Sequence, residues 1–404
     1  MSKVEELIQK LCPDGVEFKT LGELGSFYGG ITGKSKKDFE DGNAVFITYR
    51  NVYSNPALNI HPDDKVKIAE GEKQRTLEYG DVIFTGSSET PDECGFSSVV
   101  TEEPDEPLYL NSFCFFLRFH NPEIIIPDFA KHLLRSDNLR YQIGKTASGV
   151  TRFNVSKDKM AKVSIPVPPI EVQREIVRIL DNFTELTAEL TAELTARKKQ
   201  YEYYRDHMLS FDPQVKWKTL GDIGKVSMCK RIMKNETSSE GDVPFYKIGT
   251  FGKQADAYIS KETFEKYKAQ YSYPKKGDIL ISAAGTIGRT VVFDGEPAYF
   301  QDSNIVWIAN DENQVLNEFL YYWYQTNPWK VSTGGTIARL YNDNISGAKV
   351  PVLPIETQRR LVHVLNNFDA ICSDLNIGLP AEIEARRRQY EYYRDKLLTF
   401  KKKE

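Results

Sequence analysis

Seven residues, Gly29-Gly30-Ile31-Thr32-Gly33-Lys34-Ser35, come close to a loop that cradles nucleotide phosphates between backbone N–H groups and a lysine. Such a loop needs its first glycine where Tyr28 stands and a helix after it, but Lys36-Lys37-Asp38-Phe39 runs into the turn Asp41-Gly42-Asn43. The segment reads instead as a polar surface loop that exposes backbone. An adenine methyltransferase grips the amine of a flipped base with an Asp/Asn-Pro-Pro-Tyr/Phe loop. Here Pro168-Pro169 is followed by Ile170, in the setting of a helix start. The five histidines (61, 120, 132, 207, 363) lack metal-ligand spacing, and no Gly-x-Ser-x-Gly occurs. The acidic run Glu102-Glu103-Pro104-Asp105-Glu106 reads as a solvated loop. Elimination leaves a binding and scaffolding chain with no catalytic residue and no metal site of its own.

The elements that must position such a binding surface come next. A chain of 404 residues, 40% apolar and 12% aromatic, is long enough for two or three domains with real cores. Its five scattered cysteines form no CxxC pair, which argues against a disulfide framework and favours a reducing cytoplasm. No apolar stretch reaches the roughly 18–20 residues of a membrane helix, and MSKVEELIQK has no signal-peptide core. A net charge of −4 gives no hint of nucleic acid.

Internal repeats decide the organisation. VPPIEVQREIVRILDNF, ending at Phe183, returns as VLPIETQRRLVHVLNNF, ending at Phe368, an offset of 185. ARKKQYEYYRDHMLSF (196–211) returns as ARRRQYEYYRDKLLTF (385–400), and GVEFKTLGELG (15–25) as QVKWKTLGDIG (214–224). Three matches in one order make the chain a tandem duplication. The intervening segments share landmarks: Gly80-Asp81 and Gly277-Asp278 before apolar runs, then NSFCFFLRF near Phe113 and DSNIVWIA near Trp307. Short helical segments follow at 128–140 and 317–330, then Gly-to-Arg turns at Gly149–Arg152 and Gly335–Arg339. Short β-branched and aromatic runs between Gly, Pro and Asp clusters predict two α+β domains on one scaffold, about 15–165 and 214–350.

Residues 170–211 contain no Gly or Pro, and Ile176, Leu180, Phe183, Leu186, Leu190 and Leu194 recur at helical spacing. One long helix is predicted, with its second copy over 355–400 running antiparallel beside it between domains related by an approximate twofold axis. The copy should break at 378–380 and restart at Ala381, because it holds Gly378 and Pro380. The N-terminal VEELIQKL would mimic the end of the central helix. The boundaries expected are 1–166 and 212–352 for the domains, and 167–211 and 353–404 for the helices. By composition TAELTAEL (187–194) is helical filler, Ala and Leu being good helix formers.

The PI-E-x-Q helices, the TAEL repeat, RKKQYEYYRD, GTIGR (285–289) and FYGGITGKS (27–35) together resemble the DNA-specificity subunit of type I restriction–modification enzymes, in its TAEL class. The resemblance covers the whole chain. The first domain departs from it, with GSSETPDECG (86–95) where the second has AAGTIGR. It implies two target-recognition domains, each reading half of a split double-stranded DNA site, joined by helices that set the spacing. It also implies two methyltransferase subunits per chain, with restriction subunits joining through the complex. S-adenosylmethionine, ATP and Mg would then be held by those partners and no cofactor by this chain, the assembled complex being the adenine methyltransferase and ATP-dependent endonuclease. Under the resemblance TAEL becomes a spacer whose length matters. A coiled-coil adaptor without DNA specificity is the alternative.

Only the interface of such a chain need be basic. Cations gather in Gly-, Ser- and Thr-rich loops, where Lys and Arg hold phosphates and Arg, Ser and Thr can read base edges. The DNA-contact candidates are Thr32, Lys34, Lys36, Ser87 and Arg152 in the first domain, and Lys230, Arg231, Thr286, Arg289 and Arg339 in the second. Ordinary surface charge remains the other reading of each. Docking of the methyltransferases is placed at Glu171, Gln173, Arg174 and their copies Glu356, Gln358, Arg359, with Tyr201, Tyr203, Tyr204, Tyr390, Tyr392 and Tyr393 divided between docking and internal packing.

Overall fold

A computed structural model describes residues 3–330, 339–374 and 376–404. The chain divides into two units, Met1–Thr191 with Glu382–Glu404, and Ala192–Ala381. Each contains one α+β domain and parts of the repeated helices. The two domains share their strand order. In the first, a four-stranded antiparallel sheet runs Gly25–Gly29, Cys114–Phe119, Val82–Thr85, Ser97–Val99. In the second it runs Gly224–Ser227, Ile305–Asn310, Ile279–Ser282, Thr290–Val292. A smaller sheet in each is built around one parallel pair, Ala44–Ile47 with Leu108–Leu110 and Val243–Tyr246 with Tyr299–Phe300. The expectation of two like domains is met.

The repeated residues explain themselves locally. In KTLGEL and KTLGDI the threonine caps a short helix, Thr20 N donating to Glu23 Oε2 at 2.6 Å and Thr219 N to Asp222 Oδ2 at 2.9 Å. In each Gly-Asp pair the glycine takes a left-handed φ of 84° or 90°, which side chains resist. The aspartate then accepts an N–H three residues back, Glu78 N to Asp81 at 2.8 Å and Lys275 N to Asp278 at 2.7 Å. That turn feeds the central strands Val82–Thr85 and Ile279–Ser282, buried at every residue. Where the sequence predicts one helix over 128–140 there are two, Pro127–Leu133 and Asp137–Gly144, parted where Ser136 Oγ donates to the Leu133 carbonyl. The predicted 317–330 helix stops at Gln325, and Asn327 follows with φ 53°.

The central helix is continuous over Ile170–Met208. Val172, Ile176 and Leu180 are fully buried in the first unit, but Leu186 is 45% exposed, so the apolar stripe is not covered along its whole length. The second copy ends at Ser373 and restarts at Leu379 with Pro380 in its first turn, so the break lies earlier than Gly378–Pro380 predicts. Proline at a helix's first turn loses no internal hydrogen bond, so it starts this helix rather than interrupting it. Within the first unit Phe183 stacks on Tyr393 at 5.4 Å; within the second Tyr204 stacks on Phe368 at 5.8 Å.

The N-terminal helix does not imitate the end of the central one. Lys3–Leu11 instead lies at the start of the central helix, with Val4 buried and Lys3 paired to Glu175 at 2.9 Å. The imitation comes from the other terminus. Val215 N donates to Asp212 O at 3.0 Å in the second unit; Val16 N donates to Lys401 O at 2.8 Å in the first, and Lys403 N returns to Val16 O. Leu397, Leu398 and Phe400 pack on the first core as Met208, Leu209 and Phe211 pack on the second. The C-terminal segment thereby gives the entry of the first domain the bond that Asp212 gives the second.

One seam between domain and helix differs between the units. In the first, buried His132 meets Asp181 Oδ1 through Nε2 at 2.8 Å and the Tyr390 hydroxyl through Nδ1 at 2.9 Å. Lys131 joins the same carboxylate at 2.9 Å and Asp128 at 2.8 Å. In the second, Tyr322 donates to Asn366, the copy of Asp181, at 2.5 Å. Burial lowers the His132 pKa below its usual value near 6.5, so the fold holds the neutral ring while the unfolded chain takes up a proton. Stability at this seam is therefore full above about pH 6.5 and falls as pH drops below it. Amide exchange of Pro127–Leu133, corrected for intrinsic rate, should accelerate between pH 7 and pH 5.5, while Asn317–Gln325 stays level. The double variant His132→Tyr, Asp181→Asn should flatten the first profile.

Candidate nucleic-acid interface

The loops that carry the candidate cations gather at one end of each four-stranded sheet. In the first unit the loop 86–95 leaves Val82–Thr85 and returns at Phe96, whose N–H is received by Thr85 Oγ1 at 2.9 Å. Gly86 N donates to Phe113 O at 2.8 Å and Val155 N to Gly86 O at 2.9 Å, knitting three distant segments together. Two adjoining clefts result. One, of about 680 Å³, includes Thr32, Lys34 and Lys36 in its lining; the other, of about 520 Å³, includes Ser87, Arg152, Tyr53 and Glu93. Both are lined by Tyr49 and by Phe113, a 60% exposed ring.

Their members differ in what they can offer a ligand. Lys36 is exposed. Lys34 is not a free cation: it pairs with Glu72 at 2.6 Å and donates to the Lys67 carbonyl at 2.6 Å, its side chain 9% exposed. That bond, foremost, brings the Glu72 carboxyl down to about 2. Lys34 therefore clamps the loop. Ser87 is buried and receives the Arg152 guanidinium at 3.1 and 3.3 Å, so it positions Arg152 beneath Phe113 and is not itself presented.

The second unit repeats the knot. Ala283 N donates to Asn304 O at 2.8 Å and Leu340 N to Ala283 O at 2.9 Å, while Ser282 Oγ receives the Arg289 N–H at 2.9 Å. Thr286 is exposed on this loop. Arg289 is held by Nη1 on the Phe251 carbonyl at 2.9 Å, and Arg339 by Nη2 on the Ser303 carbonyl at 2.7 Å. Arg231, 66% exposed, pairs with Asp302 at 2.9 Å, so Arg231 and Arg339 converge on adjacent residues of one loop. Lys230 instead lies over the Tyr271 ring at 5.2 Å. The turn beginning at Gly335 lies outside the described residues up to Ala338.

These bonds correct the pairing of motifs. Leu340 occupies the place of Val155, so Arg339 corresponds to Asn154 and not to Arg152; Arg289 corresponds to Phe96. Phe113 was missed as a surface residue because it sits beside the buried strand Cys114–Phe119, with nothing in its spacing to set it apart. Among the docking candidates Glu171, Arg174, Glu356 and Arg359 are exposed. Gln173 and Gln358 are not available. Gln173 is wholly buried, accepting from Ile126 N and donating to the Ile124 and Pro168 carbonyls at 2.8–3.0 Å. Gln358 repeats this with Leu316 N and the Gln314 and Leu353 carbonyls. Each glutamine ties a helix start to its own domain. Tyr201 is buried, whereas Tyr203 and Tyr392 are 66% and 62% exposed.

With the same loop cluster present in both domains, comparison with known proteins decides the family. The model for the type I restriction modification DNA specificity domain matches twice, over residues 13–197 and 214–385. The chain belongs to the type I restriction–modification DNA specificity family. A putative type I restriction enzyme specificity subunit of Haemophilus influenzae is 56% identical over 261 residues, spanning 63% of this chain and 68% of that protein. The EcoR124I/EcoR124II specificity subunit of Escherichia coli is 34% identical over 269 residues, 62% of this chain and 66% of that protein. A solved chain from a type I restriction–modification system shares the fold, with a TM-score of 0.65 at 19% identity over 95% of this chain and 97% of that one. The specificity-family assignment supports the DNA-recognition reading over that of a coiled-coil adaptor. Among the described residues no helix is long and apolar enough to cross a membrane.

Proposed function

We propose that each sheet-end loop cluster reads one half of a split double-stranded DNA site. The recurrence of the same three-segment knot in both units supports this most directly, with Arg152 anchored on Ser87 in the first and, among the described residues, Arg289 and Arg339 each anchored through one nitrogen in the second. A guanidinium carries five N–H donors, so one anchored through one or two nitrogens keeps others for a phosphate or a guanine edge. The repeated helices set the distance between half-sites. Two methyltransferase subunits dock on the repeated exposed residues Glu171, Arg174, Glu356 and Arg359 and on the outward rings Tyr203 and Tyr392. Restriction subunits join through that complex, in the cytoplasm. S-adenosylmethionine, ATP and Mg belong to the partners, and this chain recognises DNA without catalysis.

The test begins with the host methylome, which should contain a split adenine-methylated motif. The purified complex should shift DNA carrying that motif and weigh as two methyltransferases per chain. Shift of any duplex alike would favour the adaptor instead, and one methyltransferase per chain would contradict equivalent docking.

A further inference from the structure

The backbone bonds that align the two reading loops also show where they differ. Thr85 N donates to Phe96 O at 3.0 Å as Ser282 N donates to Arg289 O at 2.9 Å. Between those anchors stand residues 86–95 in the first unit and only 283–288 in the second, which contains no acidic residue. The extra residues form the turn Pro91–Glu93. Arg140 fixes that turn through three carbonyls, Asp92, Cys94 and Gly95, at 2.6–2.7 Å, and lies over the Phe96 ring at 4.2 Å. The insertion thus ends in a rigidly carried carboxylate.

Glu93 Oε1 accepts from the Tyr53 hydroxyl at 3.0 Å and Oε2 from Ser88 Oγ at 3.2 Å. Tyr53 is itself stacked on Tyr49, at 6.2 Å and 16°. The bond from Tyr53, then those from Thr90 and Ser88, hold the carboxyl below its usual range, so it is ionised. Among the described residues Glu93 makes no ion pair, and the bonds from Tyr53, Thr90 and Ser88 leave about one of a carboxylate's roughly four acceptor sites unused. A fixed, unneutralised carboxylate in a cleft for a polyanion repels phosphate. It is compatible with bound DNA where it accepts from a donor, and the base-edge donors of the major groove are cytosine N4 and adenine N6.

We propose that Glu93 is a specificity residue that reads the exocyclic amino group of one base in the half-site of the first domain. This rests on the cleft being the DNA interface. The experiment selects duplexes randomised at both half-sites with the full chain and its methyltransferase partners, as wild type, Glu93→Gln, Glu93→Ala and Glu89→Gln, the last a carboxylate at the exposed rim of the same cleft. Glu93→Ala should relax one position of one half-site by roughly five- to a hundredfold, leaving the other half-site and the gap as they were. Glu93→Gln, whose oxygen can keep the Tyr53 bond while its amide nitrogen donates to Ser88 Oγ, should relax that position if it is cytosine and retain it if it is adenine. Glu89→Gln should select as wild type does. An unchanged profile for Glu93→Ala, or equal weakening of both half-sites, overturns the assignment. A wild-type complex that selects no split site overturns the DNA reading itself, which separates the two failures.

Discussion

Deleting Thr191–Leu194 from the central helix should shorten the preferred gap between half-sites and leave both half-site sequences unchanged. Four residues of helix contribute ~6 Å of length and ~40° of rotation. B-form DNA advances ~3.4 Å and ~34–36° per base pair, so one TAEL unit matches about one base pair in rotation and up to two in translation. A single-residue change would swing the following turn by ~100° and misplace the apolar stripe, whereas four residues keep it nearly in phase. The helix can absorb the change. Thr187 Oγ1 donates to the Phe183 carbonyl and Thr191 Oγ1 to that of Thr187, each at 2.7 Å, so successive units repeat one local pattern. The second half already differs by four: Phe183 to Arg197 is 14 positions and Phe368 to Arg386 is 18, and those residues fall around the break between Ser373 and Leu379. Methylation across a series of spacer lengths, with one, two and three units, reads the outcome. A single optimal gap for all three variants would reduce TAEL to filler.

Arginine-to-alanine variants should separate the two half-sites. Arg152→Ala should lower affinity roughly five- to a hundredfold, about 1–3 kcal/mol, on sites altered only outside the first half-site, and Arg289→Ala and Arg339→Ala should act through the second. Each guanidinium is already fixed, by Ser87, Phe251 O and Ser303 O respectively, so little ordering entropy opposes its contact. Lys36→Ala should instead weaken all sequences together and lower the salt slope by about 1. Lys34→Ala should act through stability, because it removes the clamp that ties the loop to Glu72 and the Lys67 carbonyl. Binding isotherms at several salt concentrations, with melting curves beside them, distinguish the three behaviours. Equal salt dependence and affinity for all the arginine variants would remove them from the interface.

The sequence by itself determined the duplication, the α+β character of both domains, the central helix and the family. Those features rest on neighbours in the chain: a threonine and the acid three residues on, a glycine before an aspartate, leucines at helical spacing. Tertiary structure alone decided which side chains are free. Lys34 and Lys36 are alike in sequence, but Glu72, 38 positions from Lys34, claims only the first. Gln173 reads as a surface residue until the loop Ile124–Ile126 closes over it, and Arg339 aligns with Arg152 until Leu340 pairs with Ala283. The return of Lys401 to Val16 joins residues nearly the whole chain apart. Such pairings depend on which distant backbone groups must be satisfied once the sheets close, and no local spacing encodes that requirement.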